Sequence, residues 1–211
     1  MKNIPTPPNY SFSFNKFVFD EIPKNSHCLD VGCWSGNLGR SLIREKRCIV
    51  DGIDVNINML SQAKKAGYNQ TFLINLNQDT IDLSVIQQKY DVIIFADILE
   101  HLISPEGVLK LFKSKLKKNG YILISLPNVA FFLNRLQLFF GNWDYREFGT
   151  LDKTHLRFYT IKSLKKMVES AGYKPTRIKP YNQFGVLRYI NPFNRFFPSL
   201  LAYQILLTAE I

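Results

Sequence analysis

A stretch near the amino terminus, residues 28–39, limits the folds that are open to this chain. It reads CLDVGCWSGNLG, in which a short apolar run ends in Asp-x-Gly, small residues follow, and a helical pattern begins. A strand, a tight turn and a helix in this order are typical of an open α/β sheet that binds a nucleotide-like ligand at the turn. The next apolar run ends at Asp54, whose carboxylate can accept both hydroxyls of a ribose. These residues predict a ligand derived from adenosine.

The spacing of the glycines argues against a dinucleotide. A dinucleotide fingerprint reads G-x-G-x-x-G, with the pyrophosphate at the helix N-terminus. Here Gly32, Gly36 and Gly39 read G-x-x-x-G-x-x-G, and Trp34 stands in place of the middle glycine. We expect Gly32 and Gly36 to let the backbone approach a ligand closely. Asp30 would repel a phosphate and suits a cation, so the expected ligand is S-adenosylmethionine, whose amino-acid tail carries an ammonium group.

The D-x-G-x-x-x-G motif, followed by an acid at the end of the second strand, resembles class I S-adenosylmethionine-dependent methyltransferases. The residues that this resemblance assigns to the cofactor are Asp30, Gly32, Gly36 and Asp54. In that family a polar side chain after the third strand accepts the adenine amino group, and the following backbone contacts the ring. Asn75 and Leu76 match these positions, with asparagine where aspartate is usual. A plain turn role for Asn75 stays open as an alternative.

Strand and helix patterns alternate along the chain, as a doubly wound sheet requires. We predict one α/β domain over residues 1–211, Rossmann-like, with seven mostly parallel strands and an antiparallel last strand. An arm and a first helix occupy 1–25, and an aromatic, arginine-containing insertion on the substrate side occupies 127–160. The turn 118–120 is predicted to precede strand five. The predicted strands are Cys28–Val31, Cys48–Asp54, Thr71–Asn75, Tyr90–Ala96, Tyr121–Leu126, Thr176–Tyr181 and Gln204–Glu210.

A second chemical motif, DILEH at residues 97–101, follows the fourth predicted strand. If a helical turn follows that strand, the i, i+3 and i+4 spacing places Asp97, Glu100 and His101 on one face. His155, in the insertion, is another of only three histidines in the chain. Two carboxylates and two imidazoles suit a divalent ion such as Mg, Mn, Fe or Zn. The alternative is that Asp97 and His101 only cap the next helix and satisfy each other.

This set resembles the ligands of metal-dependent O-methyltransferases, including ubiquinone-pathway and small-RNA 3′-end enzymes. The resemblance implies that the ion holds the hydroxyl that is methylated. Asp97 stands where glutamate is usual, and it is a candidate for cofactor binding as well as for the metal. His101 and His155 are also candidates for a general base, because an alcohol is a poor nucleophile at neutral pH.

Three further segments, 125–130, 142–145 and 151–160, resemble small bacterial methyltransferases that are often linked to surface-glycan biosynthesis. With the first motif, the resemblance covers about residues 25–181. It implies methylation of a hydroxyl or phosphate-type oxygen on a small acceptor, sugar-derived or anionic. Two alternatives stay open: an RNA 2′-O-methyltransferase, and a non-enzymatic adenosine-binding subunit that regulates a partner. A dinucleotide dehydrogenase is excluded by the glycine spacing and by the lack of a Tyr-x-x-x-Lys pair after strand five.

Positive charge is concentrated in the second half of the chain. Residues 101–211 contain 17 Lys and Arg against 6 Asp and Glu, whereas residues 1–100 contain 10 against 11. This asymmetry predicts an anionic partner: a phosphorylated small molecule, a nucleic acid or a membrane surface. The basic residues set among aromatic ones are Arg135, Arg146, Lys153 and Arg157. Most aromatic side chains of the insertion are expected in the core.

The remaining features concern location and the two ends of the chain. No run of eighteen apolar residues and no signal-peptide pattern occurs, and three cysteines without a CxxC pair predict reduced thiols in the cytoplasm. The aromatic and basic stretch Leu187–Leu207 is a candidate for peripheral membrane contact, or else a loop that leads into the last strand. Tyr10, Phe12, Phe14 and Phe17 are expected to cover the cofactor or to pack.

Overall fold

The centre of the protein is a seven-stranded sheet in the order β3-β2-β1-β4-β5-β7-β6. The computed structural model describes residues 14–182 and 196–211. Strands β1 to β7 are His27–Val31, Ile49–Asp54, Thr71–Leu73, Tyr90–Ala96, Leu116–Pro127, Lys174–Tyr181 and Gln204–Glu210. The pairs among β1 to β5 are parallel, and β7 runs antiparallel to both β5 and β6. The predicted fold class, with its antiparallel last strand, is confirmed.

Helices connect the strands and cover both faces of the sheet. Helices α1 to α7 are Lys16–Glu21, Asn37–Lys46, Ile57–Lys65, Pro105–Phe112, Phe132–Phe139, Ile161–Ser170 and Pro198–Leu201. Short 3₁₀ turns occupy Leu99–His101 and Lys113–Lys115. Helix α6 shows how local sequence sets the bounds. A capping box between Thr160 and Ser163 begins it, and Gly172, with φ of +81°, follows its end.

Alternate residues of the central strands enter two separate apolar layers. In β4, Ile93 and Phe95 pack in the layer under α4 and α6, while Val92 and Ile94 pack in the layer under α1 to α3. Successive side chains of a strand point to opposite faces, so a sheet covered on both sides needs an almost continuous apolar run. The run YDVIIFA meets that need. The central strands are therefore buried on both faces.

Strand β5 differs from its prediction at the start. The segment 118–120 was predicted as a turn before the strand, but it lies inside β5 as an irregularity. Tyr90 pairs with Leu116, and Val92, only two residues later, pairs with Tyr121. A Cβ at Gly120 would lie 2.7 Å from the Tyr90 carbonyl oxygen, so glycine permits the close approach of the two strands. The prediction that residues 118–120 form a turn before the strand is therefore wrong, because they belong to β5.

The aromatic insertion exposes more apolar surface than the sequence indicates. Phe131 is buried, but Phe139 and Phe140 are 82% and 68% exposed. Within helix α5, Asn134 is the one buried residue. Core packing is therefore wrong for Phe139, Phe140 and Tyr145, all of which are exposed.

Parts of two predicted features lie outside the described residues. Tyr10 and Phe12 belong to this group, as do residues 187–195 of the stretch that was considered for membrane contact. In the described remainder of that stretch, Phe196 and Phe197 are exposed. Within residues 14–182 and 196–211, no helix combines the length and the apolar character that a membrane span requires.

Asn15 links the first helix to the sheet. Its side-chain oxygen accepts the Val18 N–H at 3.3 Å as the N-cap of α1. Its side-chain nitrogen donates to Ser125 Oγ at 3.1 Å and to Tyr181 Oη at 2.7 Å. Asn15 therefore fixes the segment that leads into the carboxyl edge of the sheet.

Replacing Asn15 with alanine should destabilise the protein more than loss of an ordinary cap. We expect Asn15→Ala to lower the free energy of unfolding by about 2–3 kcal/mol, because a cap and two further hydrogen bonds are lost. Among the described residues, the Asn56 side chain bonds only to the Asn58 and Met59 N–H groups, as the N-cap of α3. Asn56→Ala should therefore cost only about 1 kcal/mol. Urea unfolding of both variants measures the difference, and equal losses would contradict a role for Asn15 beyond capping.

Candidate functional site

A cavity of about 730 Å³ opens at the carboxyl edge of β1, β2 and β4. This is where an open α/β sheet binds its ligands, because the loops after parallel strands converge there. The predicted site residues that line it are Asp30, Gly32, Asp54, Asn75, Leu76, Asp97 and His101. Gly36, Glu100 and His155 are not among its lining residues. The structure thus brings together most of the residues predicted to hold an adenosine ligand.

Asp30, the residue before the last in β1, is a buried carboxylate on the cavity wall. Tyr68 Oη donates a hydrogen bond of 2.6 Å to Asp30 Oδ2. Burial raises the pKa of Asp30 to about 6, although the hydrogen bond from Tyr68 lowers it and nearby Asp54 raises it further. An ammonium group in the cavity would favour the ionised form of Asp30, which suits the predicted role.

Asp54 lies at the end of β2, opposite Trp34. Its Oδ2 accepts the Trp34 backbone N–H at 2.9 Å, and its Oδ1 accepts the Asn56 backbone N–H at 2.8 Å. Each carboxylate oxygen can accept more than one hydrogen bond, so both can still bind ligand hydroxyls. The two backbone donors fix the plane of the carboxylate before any ligand arrives. Trp34 has a left-handed φ of +50°, which places its backbone against Asp54.

The two predicted cofactor glycines have different surroundings. Gly32, with φ of +76°, lines the cavity, and a Cβ there would lie 2.9 Å from the Ile98 side chain. At Gly36 a Cβ would meet Tyr68 Cε2 at 2.8 Å and Ala63 Cα at 2.9 Å. Gly36 thus makes room for packing behind the cavity wall, which is a different reason for glycine from the close approach to a ligand that we expected.

The position of Asn75, in the loop after β3, is compatible with both of the roles considered for it. Asn75 lines the cavity, and its Oδ1 also accepts the Asn77 N–H at 2.9 Å, which forms the turn. Asn77 then donates to the His101 carbonyl at 3.1 Å and accepts the Ile103 N–H at 2.8 Å. This link between the Asn75 loop and the His101 segment was not predicted from the sequence. The repeated Asn-x-Asn was its only signal.

Asp97 lies at the end of β4 in a network of neutral donors. Its Oδ1 accepts Ser125 Oγ at 3.0 Å and Gln204 Nε2 at 3.1 Å. Burial raises the pKa of Asp97 to about 6. His101 instead contacts Thr154, through Nδ1 at 3.2 Å from both the carbonyl and the hydroxyl oxygen. The alternative in which Asp97 and His101 satisfy each other is therefore wrong.

Glu100, His101 and His155 form a compact group beside the cavity. One potential ligand atom from each lies within 4.8 Å of the others, and in the described residues Asp97 does not belong to this group. Glu100 is 2% exposed, and neither of its carboxylate oxygens has a hydrogen-bond partner among the described residues. Burial raises the pKa of Glu100 well above its usual range, and nearby Asp97 and Asp152 raise it further.

Backbone contacts hold the two histidine segments together. The Glu100 carbonyl accepts the Leu156 and Arg157 N–H groups at 2.8 and 3.1 Å, which joins the turn after β4 to the insertion. The His101 ring hydrogen-bonds to Thr154 of the insertion through Nδ1. Burial lowers the pKa of both histidines, and His101 lowers that of His155 further. Neutral imidazoles result, and the contact with Thr154 fixes the ring of His101.

These three side chains fit a divalent cation. A buried carboxylate without a hydrogen-bond donor is unfavourable unless a proton or a cation compensates its charge. Two neutral imidazoles and one carboxylate suit Mn, Fe or Zn. Histidine ligands usually have their second nitrogen held by an outer contact, as Thr154 holds Nδ1 of His101. The predicted metal role of Glu100, His101 and His155 is thus consistent with the geometry, and that of Asp97 lacks this support.

The charges around the cavity differ from the overall basic charge of the second half of the chain. Of the four basic residues singled out, only Lys153 lines the large cavity, where it pairs with Glu147 at 2.6 Å. Arg157 donates to the Ile103 carbonyl, and Arg135 lines a separate cavity of about 350 Å³ together with Trp143. Lys153 is therefore the cation that an anionic acceptor in the large cavity would meet.

Comparison with known proteins identifies relatives of this chain. Residues 10–178 match the model of a family described as "Methyltransferase domain". A ubiquinone biosynthesis O-methyltransferase of Coxiella burnetii is 31% identical over 118 residues, which is 55% of this chain and 50% of that protein. One from Pasteurella multocida is 33% identical over 111 residues, 47% of this chain and 46% of that protein. The chain thus spans about half the length of the curated relatives it matches.

Solved structures share the fold at low sequence identity. A SAM-dependent methyltransferase from Archaeoglobus fulgidus has a TM-score of 0.61 and 18% identity, covering 93% of this chain and 89% of that one. An S-adenosylmethionine-dependent methyltransferase from Mesorhizobium loti has a TM-score of 0.64 and 14% identity, covering 92% and 95%.

Proposed function

The chain belongs to the methyltransferase-domain family and has the fold of S-adenosylmethionine-dependent methyltransferases, and on this premise we propose that it methylates an oxygen atom of a small acceptor. The observation that supports oxygen is the group of Glu100, His101 and His155 beside the cofactor cavity. A hydroxyl needs activation before it can attack a methyl group, and this group can supply it. The name of the C. burnetii relative, an O-methyltransferase, agrees with this choice.

The cofactor half of the cavity binds and orients the methyl donor. Asp54 accepts the ribose hydroxyls, Asp30 pairs with the ammonium, and the loop at Asn75 and Leu76 contacts the adenine. The acceptor oxygen then attacks the methyl carbon in line with the sulfur. The carbon–sulfur bond breaks, its electron pair stays on sulfur, and the acceptor proton leaves to water or to a neutral imidazole. His101, which lines the cavity, is positioned to take that proton.

A divalent ion at the three-residue group would be an alternative way to activate the hydroxyl, in which His101 binds the ion and the acceptor proton leaves to water. Glu100, His101 and His155 would hold it, and Thr154 would orient the imidazole of His101. Such an ion lowers the pKa of a hydroxyl bound to it and so makes a better nucleophile at neutral pH. Asp97 remains a candidate for contact with the cofactor rather than with the ion, because Ser125 and Gln204 already occupy one of its oxygens.

For the acceptor we propose a sugar-derived molecule with an anionic group, as in surface-glycan biosynthesis. The support is the motif resemblance over 125–160, and Lys153 on the cavity wall as a contact for an anionic group. The carboxylates Glu147 and Asp152 on the same wall can accept hydrogen bonds from sugar hydroxyls. This arrangement favours a polyhydroxylated acceptor over a wholly apolar one.

Transfer of a labelled methyl group tests the proposal. Purified protein is incubated with methyl-labelled S-adenosylmethionine and four acceptor classes: nucleotide-linked sugars, free sugars, a catechol and single-stranded RNA, each with Mn²⁺ or with EDTA. We expect label on a nucleotide-linked sugar, at a rate that EDTA reduces. Label on RNA, with affinity that falls steeply with salt, would favour the RNA alternative instead. Binding of S-adenosylhomocysteine without transfer to any class would favour the regulatory alternative.

A further inference from the structure

Tyr68 lies directly behind the cofactor cavity and is 2% exposed. Its hydroxyl donates to Asp30 Oδ2 at 2.6 Å and accepts the Gly39 backbone N–H at 3.1 Å. The first bond joins it to the β1 carboxylate and the second joins it to helix α2. A buried phenol with both a donor and an acceptor partner has a fixed hydroxyl direction. Tyr68 therefore fixes one oxygen of Asp30 and leaves the other to the cavity.

Three glycines form a socket around the Tyr68 ring. A Cβ at Gly36 would lie 2.8 Å from Tyr68 Cε2, and a Cβ at Gly52 would lie 2.8 Å from Tyr68 Cδ1. A Cβ at Gly39 would overlap the Tyr68 ring and hydroxyl. The second half of the glycine-rich segment and one glycine of β2 thus create the space for this side chain. The socket determines where the hydroxyl can lie.

We propose that Tyr68 is a positioning residue for the cofactor: its hydroxyl keeps the Asp30 carboxylate ionised and oriented towards the ammonium of the ligand. The inference rests on the proposed function, because it requires a ligand whose ammonium group pairs with Asp30. It explains why the glycine-rich segment needs glycine at positions that do not line the cavity. Tyr68 acts through Asp30 and does not itself line the cavity.

The groups that face Asp30 determine the direction in which its pKa changes when the Tyr68 hydroxyl is removed. Tyr68 lowers the pKa of Asp30, whereas burial and the charge of Asp54 on β2 raise it to about 6. The thiols Cys28 and Cys33 also face Asp30, and burial raises the pKa of Cys33 while Cys48 and burial raise that of Cys28. Both thiols therefore stay neutral at physiological pH. Removal of the Tyr68 hydroxyl leaves only influences that favour protonated Asp30.

The test is the pH dependence of S-adenosylhomocysteine affinity in Tyr68→Phe, measured by calorimetric titration between pH 5.5 and 8.5. Loss of a hydrogen bond to a charged group should raise the pKa of Asp30 by about one unit. Ionised Asp30 is needed for binding, so affinity is retained above its pKa and falls as the pH drops through it. At pH 6 the variant should bind about fivefold more weakly than wild type, and at pH 8.5 about equally.

Two controls separate positioning from packing. Tyr90→Phe removes a tyrosine hydroxyl from another buried pair, in which Tyr90 Oη donates to Asp51 Oδ2 at 3.0 Å. This variant should leave the pH dependence of S-adenosylhomocysteine affinity unchanged. Methylthioadenosine, which lacks the ammonium, should bind both proteins equally at every pH. A uniform loss of affinity for both ligands in Tyr68→Phe would overturn the inference and leave a packing role only.

The wild-type protein provides a test that does not depend on the variant's folding. Its affinity for S-adenosylhomocysteine should fall below pH 6, with no matching fall for methylthioadenosine. Equal pH profiles for the two ligands would overturn the inference. If neither ligand binds wild-type protein at any pH, the proposed function itself fails, which is a distinguishable result.

Discussion

Replacement of Glu100 with glutamine should abolish the stabilisation of this protein by a divalent ion. Mn²⁺ at a hundred times its Kd should stabilise the wild-type protein by about 2.7 kcal/mol. In a chain of this length, that raises Tm by about 5–10 °C. The variant should gain nothing. Thermal melts with and without Mn²⁺ measure the effect.

The reason for the large effect is that Glu100 supplies the only negative charge of the three-residue group. Its two oxygens lack hydrogen-bond partners in the described part of the chain, so an ion would be their compensating charge. The amide of glutamine is a weak ligand and carries no charge. Methyl transfer should also fall by at least about a hundredfold, since even outer contacts of a metal site are worth 10–100-fold.

A matched control for this prediction is Glu169→Gln on the exposed face of α6. Glu169 pairs with Lys165 at 3.7 Å in solvent, and its loss should change neither the Mn²⁺ response nor the rate. An unchanged Mn²⁺ response in the Glu100 variant would show that the ion binds elsewhere. The cluster of Glu100, His101 and His155 would then take part in the reaction only by accepting a proton.

Replacement of Asp54 with alanine should remove most of the affinity for the cofactor. Two hydrogen bonds from ribose hydroxyls to a carboxylate are worth about 3–6 kcal/mol together. S-adenosylhomocysteine should therefore bind about a hundredfold to ten-thousandfold more weakly. The same substitution releases the Trp34 and Asn56 N–H groups, which loosens the loop that faces the ligand. Calorimetric titration measures the change.

The control for Asp54 is an acid outside the cavity. Asp79 is exposed and does not line the site, so Asp79→Ala should keep wild-type affinity. Far-UV circular dichroism should match for both variants. An affinity within threefold of wild type in Asp54→Ala would assign the ribose contact to another residue.

The parts of the fold that could be predicted are those with a strong local signal. Strands Tyr90–Ala96 and Gln204–Glu210 have the same bounds in the prediction and in the structure. A continuous apolar run marks the first of them. The start of β5 was misplaced, because its irregularity depends on the approach of β4 at Gly120, a contact between distant segments.

The candidate site likewise has residues that local sequence indicates and residues whose position depends on contacts between distant segments. Spacing indicated Asp30 and Asp54, and the structure places both on one cavity wall. The meeting of Glu100 with His155 depends on backbone bonds between the turn after β4 and the insertion. Tyr68 and Asn77 were missed because each acts through a partner on another strand or loop. Tyr68 belongs to no motif that could reveal this, and the repeated Asn-x-Asn is the one signal for Asn77.

The backbone at the carboxyl ends of β1 and β4 has a consequence for engineering. Trp34 and Asp97 both line the cavity with left-handed φ angles of +50° and +52°. Such conformations cost about 1–3 kcal/mol each outside glycine, and aspartate tolerates them better than tryptophan. Selection for heat resistance alone would therefore favour glycine at position 34. Such a change would remove the tryptophan side chain from the cavity wall, so the gain in stability would come with a change in the shape of the ligand pocket.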